Sequence, residues 1–134
     1  MLRYMLDTNT CIWAIRAGPT SKLAGRFNRH AEQLCISSIV LAELHCGAEN
    51  SKRVANNLAE IEKFVVRLQA VLDFDAEAAA EFGRVRVALR KQPIGPLDTL
   101  IAAHARSRAL VVVTDNVAEF KRVPGLQIEN WRGV

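Results

Sequence analysis

The sequence predicts an α/β domain built on a short parallel sheet with helices over both faces. Three observations lead there. Short apolar runs alternate along the chain with longer stretches of 3.6-residue periodicity, the pattern of strand–helix–strand units. The clearest run, "ALVVVT" at 109–114, is β-branched and shows no polar alternation, as a strand buried on both faces requires. The 134 residues, 50% hydrophobic and 24% charged, suffice for one globular core with no linker, repeat or low-complexity tract to divide it, so residues 1–134 read as a single domain.

The elements follow in order. "YML" at 4–6 is a short buried strand that leads into a helix over 8–17, and residues 20–30 form a more polar helix. "LCIS" is the second strand, with Ser37 or Ser38 as N-cap of a helix over 39–49. Val54, Leu58, Ile61 and Val65 mark one face of a helix near 52–67. "AVLDF" is the third strand. Asp75 then caps a helix over 76–91, with Phe74 placed as a hydrophobic staple. The loop "KQPIGPLD" opens a helix over 97–108 that turns Leu100, Ile101 and Ala105 inward. After "ALVVVT", a turn of helix near 117–120 and a strand around "LQIEN" complete the chain.

Composition narrows the partners. The first fifteen residues are apolar but broken by Arg3 and Asp7, and read as neither a membrane span nor a signal peptide. Cys11, Cys35 and Cys46 have no CxxC spacing and read as buried thiols of a reducing compartment, so the cytoplasm is the expected location. A net charge of +4 suits a nucleic-acid partner without demanding one. Arg84, Arg86 and Arg90 late in one helix and Arg106 in the next are candidate contacts for an RNA backbone, although such clusters are more often solvated helix faces. With few aromatics, phosphate contacts rather than base stacking are expected to hold any nucleic acid.

The chemistry lies in the acids. Of five aspartates, Asp7, Asp98 and Asp115 fall at strand–helix junctions, and Glu43 sits inside the apolar segment "IVLAELHCG". Each has an ordinary explanation: Asp7 as a helix cap, Asp98 as a first-turn carboxylate facing the macrodipole, Asp115 as a turn residue. Glu43 resists one, because an unpaired carboxylate in apolar surroundings is costly. Asp7, Ser38 and Thr114-Asp115 each follow a predicted strand, which places them on the carboxyl edge of a parallel sheet, where such sheets bind ligands. Like charges gathered there call for a cation. Oxygen ligands alone suit Mg²⁺ or Mn²⁺, while the absence of HExxH, a Cys/His cluster or a P-loop argues against zinc and P-loop chemistry. Asn9 reads as a helix-start residue or as a partner that orients Asp7. His30, His45 and His104 have no ligand spacing and are assigned to surface or core.

The blocks "MLDTNTCIWAI", "ISSIVLAELHCGAENS" and "GPLDTLIAAHARSRALVVVTDNVAEFKRVPGLQIENW", in this order and spacing, resemble the VapC-type toxins of the PIN-domain ribonuclease superfamily. The resemblance spans nearly the whole chain. It implies a three-layer α/β/α sandwich and a Mg²⁺- or Mn²⁺-dependent endoribonuclease acting on structured RNA, with transfer RNA the expected target. It also implies a homodimer neutralised by a cognate VapB-type antitoxin. Asp7, Glu43 and Asp98 match the family's first three acids, the metal-binding and catalytic positions. The fourth acidic position is Asn116 here, which leaves Asp115, Asn116 or Glu119 to fill its role.

The mechanism this implies is in-line attack of metal-activated water on a phosphodiester, leaving 5′-phosphate and 3′-hydroxyl ends. Two rivals are weaker. A phosphoacceptor receiver domain needs an acidic pair after its first strand, where this chain has Asp7 followed by Thr8. A PIN-fold module with a weakened site, acting mainly by binding antitoxin or nucleic acid, has Asn116 as its only support.

Overall fold

The computed structural model describes residues 1–18 and 20–132. Tyr4–Leu6 (β1), Leu34–Ser37 (β2), Ala70–Leu72 (β3), Val111–Val113 (β4) and Ile128–Glu129 (β5) form one sheet in the order β3-β2-β1-β4-β5. Every neighbouring pair is parallel. Between them run Thr8–Ala17 (α1), Lys22–His30 (α2), Ser38–Glu49 (α3), Val54–Val65 (α4), Ala76–Ala88 (α5), Pro96–Ser107 (α6) and Val117–Phe120 (α7), with a 3-10 turn at Ala31–Gln33. Connections that step from β1 to β2 to β3 go one way, and those that reach β4 and β5 go the other. Right-handed crossovers therefore lay α1–α4 on one face and α5–α7 on the opposite face. This is the expected α/β class with a short parallel sheet.

Burial follows the same logic. Met5 and Leu6, Cys35 and Ile36, Val112 and Val113 are all fully buried. Consecutive strand residues point to opposite faces, so both faces must be covered. Each such side chain contributes roughly 1.5–3 kcal/mol by leaving water. Tyr4, Phe27, His30 and Trp131 pack edge to face or tilted beneath the first strand, and the Trp131 indole N–H donates to Glu129 Oε1 at 2.9 Å.

Several boundaries differ from the sequence expectation, each for a local reason. The helix expected at 20 starts at Lys22, because the Ser21 hydroxyl accepts the Ala24 N–H at 3.0 Å. Ser37 rather than Ser38 caps α3, accepting from Ile39 N at 3.1 Å, while the Ser38 hydroxyl accepts from Phe74 N and ties α3 to the end of β3. Ser38 is thus a structural tie and does not line the cleft described below. Asp75 caps α5 as expected, its Oδ1 accepting from Ala78 N at 2.9 Å. Phe74 turns its ring edge-on to His104. In α6, Ile101 and Ala105 are buried and Leu100 half-buried. Cys11 and Cys35 are buried thiols, but Cys46 lies on the outer face of α3 and is exposed.

Leu110 N bonds Ala105 O at 2.9 Å and Ala109 N bonds Arg106 O at 3.2 Å, the paired bonds that close a helix through a left-handed residue. That residue is Ala109, at φ 54°. A β-carbon there is strained, and glycine is the usual occupant. Ala109→Gly is expected to raise stability by about 0.5–1 kcal/mol in urea unfolding. A loss of stability would show that the Ala109 methyl contributes more than its strain costs.

Candidate metal centre

Strand order reverses between β1 and β4, and this is where the acids meet. Leaving β1, the chain turns at once into α1, and Asp7 serves both the turn and the cleft. Its Oδ1 accepts from Thr10 N at 2.9 Å as the N-cap of α1. Its Oδ2 accepts from the Thr114 hydroxyl at 2.5 Å, across from the end of β4. Asn116 N donates to the same Thr114 oxygen at 2.9 Å, so the Thr114 proton is committed to Asp7. Asp7 N and the Thr10 hydroxyl both donate to Val113 O, at 3.1 Å each, which locks the two strand ends together. Asp7 is 4% exposed.

Glu43 reaches the same cleft from α3, where Thr8 Oγ1 donates to its Oε1 at 2.7 Å. Asp98 enters from the first turn of α6, a helix opened by Pro96 at its first position. Asn116 Nδ2 donates to Glu119 Oε2 at 2.6 Å and leans on Asp98 Oδ2 at 3.4 Å. The resulting cleft of about 340 Å³ is lined by Asp7, Thr8, Asn9, Glu43, the Gly95–Asp98 turn and Asn116.

Electrostatics show what the cleft lacks. Burial pushes the Asp98 carboxyl up to about 6, with further upward pressure from Asp7, Glu119 and Glu43. Burial also raises Asp7, against the hydrogen bonds from Thr10 and Thr114 that favour its ionised form. No Lys or Arg lines the cleft. As placed, no three of the acids converge as a ready-made ligand set among the described residues. Hydrogen bonds from Thr8 and Asn116 turn Glu43 and Asp98 individually. Even so, the donors suit a hard divalent cation: carboxylate oxygens, with hydroxyl and amide oxygens around them and neither sulfur nor imidazole in the lining.

The structure sorts the remaining candidates. Asn9 lines the cleft but is not what orients Asp7; Thr10 and Thr114 do that. Asp115 turns out of the cleft to Arg132, 3.6 Å away, so Asn116 and Glu119 are the residues standing beside Asp98. Arg84 and Arg106 both bind Glu81 at 3.2 Å. Arg106 also lies eight residues along α6 from Asp98, about 12 Å of helix, which removes it from the cleft end. Arg86 and Arg90 are exposed near the end of α5, close in sequence to the turn that opens α6. His104 is a core histidine as expected, with Nδ1 2.8 Å from the Ser37 hydroxyl. The Ser37 oxygen accepts from Ile39 N and is also paired with His104 Nδ1, a tie between the Glu43 helix and the Asp98 helix. The orienting roles of Thr8 and Thr10 are signalled in the sequence only by the alternating threonines of "DTNT".

Comparison with known proteins agrees over almost the full length. A family model described as PIN domain matches residues 4–126. The tRNA(fMet)-specific endonuclease VapC of Salmonella typhimurium is 50% identical over 133 residues, 98% of this chain and 99% of that protein. Ribonuclease VapC2 of Haemophilus influenzae is 48% identical, with the same coverage. Among solved structures, DNA-bound VapBC from Salmonella typhimurium matches with TM-score 0.91 at 49% identity, covering 98% of this chain and 99% of that one. VapBC2 from Rickettsia felis, bound to a promoter DNA fragment, matches with TM-score 0.89 at 39% identity over 97% and 99%.

The crowding of Asp98 has a measurable consequence. Its carboxyl is raised from 3.8 to about 6, so the folded state holds the proton more tightly than the unfolded chain does. Stability therefore falls as pH rises through that interval, and the penalty is complete above it. In metal-free protein, Asp98→Asn is expected to raise the urea midpoint at pH 7.5 and to change it little at pH 4. A lower midpoint for the variant at pH 7.5 would mean that Asp98 is not electrostatically strained.

Proposed function

The chain belongs to the PIN-domain family, and we propose that within it this protein is a divalent-metal-dependent endoribonuclease, the toxin of a toxin–antitoxin pair, cutting transfer RNA. The observation that carries the reading is the cleft itself: Asp7, Glu43 and Asp98 brought to one carboxyl edge of a parallel sheet with no basic residue among its lining. The tRNA substrate rests on the 50% identical relative named as a tRNA(fMet)-specific endonuclease.

Asp7, Glu43 and Asp98 are the residues that would hold Mg²⁺ or Mn²⁺. When bound, such an ion lowers the pKa of a coordinated water and neutralises charge on the scissile phosphate. The chain's own groups prepare the site. Thr10 N–H and the Thr114 hydroxyl fix the two Asp7 oxygens separately, so the carboxylate meets its ligand already oriented. Thr8 holds Glu43 at the cleft wall. The Asn116 amide carries Glu119 alongside Asp98, and Glu119 supplies the charge that an acid at 116 would give. No imidazole lines the cleft, which favours a water nucleophile and 5′-phosphate, 3′-hydroxyl products over attack by the 2′-hydroxyl.

An antitoxin partner is supported by a groove of about 270 Å³ between α1, α3 and α4. Ile12, Ile15, Leu44 and Ile61 line it, and Glu43 belongs to both groove and cleft. A partner segment seated there lies against the acids it would block. Among the described residues no helix is long and apolar enough to cross a membrane. The reading places the pair in the cytoplasm, where tRNA is found.

The test compares the purified chain with Asp7→Asn on total tRNA in Mg²⁺, Mn²⁺ or EDTA, mapping the cut ends. Cleavage should need metal, leave 5′-phosphates and fall by at least about a thousandfold in Asp7→Asn. Cleavage that survives EDTA, or 2′,3′-cyclic phosphate ends, would contradict the mechanism.

A further inference from the structure

A second cavity, of about 350 Å³, opens along α1 and carries charge of the opposite sign. Trp13, Arg16, Ser21, Lys22 and Arg132 line it, and among the described residues no acid does. Arg16, Lys22 and Arg132 are exposed, while Trp13 is partly buried against the core. The Arg132 guanidinium lies over the Trp13 indole, 3.2 Å from the ring centroid. Asp115 Oδ2 stands 3.6 Å from Arg132 Nη1, on the outer side of the residue that follows β4. Neither Arg16 nor Lys22 has a carboxylate within ion-pair distance among the described residues.

Position ties this cavity to the acid cleft. Thr8, which holds Glu43, and Trp13 belong to the same helix, five residues or about 7.5 Å of axial rise apart. On the other side, Asp115 directly follows Thr114, the residue bonded to Asp7. Arg16 walls both this cavity and the groove that Glu43 lines, so a strand with one phosphate among the acids meets the basic walls as it leaves along α1.

We propose that this cavity is a substrate subsite that receives one unpaired nucleotide of the RNA beside the scissile phosphate. The base stacks on the Trp13–Arg132 layer, and the phosphate goes to Arg16 and Lys22. Flat guanidinium and aromatic surfaces are what splayed-out bases stack on, and the two unpaired cations supply phosphate contacts. An acidic peptide would use the cations but has no use for the stack. Asp115 acquires a role in this arrangement: it holds Arg132 over Trp13, which is why it turns away from the cleft. The inference deepens the ribonuclease reading and rests on it for the identity of the ligand.

The experiment uses the full chain in EDTA, so that binding is separated from cleavage, with a labelled twelve-nucleotide single-stranded RNA of mixed sequence. Arg16→Gln, Lys22→Gln and Arg132→Gln are combined in one variant, and Lys63→Gln, exposed on α4, is the control. The triple variant should bind about tenfold or more weakly at roughly 0.1 M salt, with the slope of log K on log salt flatter by about two. The control should bind as wild type. RNA should quench tryptophan emission in the wild type and not in Trp13→Phe. Wild-type affinity, salt slope and kcat/KM in the triple variant would overturn the subsite and leave the ribonuclease reading standing. RNA binding that depends on this cavity, in a protein that never cleaves, would keep the subsite and remove the nuclease. A triple variant that keeps RNA affinity would sink the proposal even if it lost the antitoxin, a loss that Arg16 alone could cause because it also walls the antitoxin groove.

Discussion

The pairing of β1 with β4 is the constraint on which the site depends. These strands are parallel and adjacent, and the connections that follow them run to opposite sides of the sheet, so the chain leaves both at the same edge with no strand between. That adjacency lets the Thr114 hydroxyl reach Asp7 and lets Val113 O accept hydrogen bonds from Asp7 N and the Thr10 hydroxyl. Remove the pairing and Asp7 becomes an ordinary helix cap. With it, a buried carboxylate is aimed into a cleft that Glu43 and Asp98 enter from opposite faces of the sheet.

Gathering these acids carries a cost that the fold does not offset internally. Asp98 is raised to about 6 because it is partly buried among Asp7, Glu119 and Glu43. Three of the arginines on these elements are engaged elsewhere: Arg106 and Arg84 on Glu81, Arg132 on Asp115 and Trp13. A cleft whose lining holds no basic residue leaves the compensating charge to a ligand.

Much of this was legible in the sequence. The strands announce themselves because a parallel sheet buried on both faces must be written in unbroken apolar runs, and "YML", "LCIS" and "VVV" are such runs. Asp7, Glu43 and Asp98 were legible because each interrupts or ends an apolar element. What was not legible depends on side-chain direction. Ser37 and Ser38 are neighbours, yet one caps α3 and faces His104 while the other bonds Phe74 N. Asp115 and Glu119 are equivalent as letters, but the turn after Thr114 sends one to Arg132 and the other to Asn116. Cys46 lies in an apolar segment but falls on the outer face of α3.

The most direct test of the central claim is a crystal of the protein grown with Mn²⁺ and measured for anomalous scattering at the manganese edge. A peak is expected in the cleft within ligand distance of Asp7, Glu43 and Asp98, with the three carboxylates drawn together from their present separation. A cleft without a peak at saturating Mn²⁺, or a peak held by other residues, would contradict it.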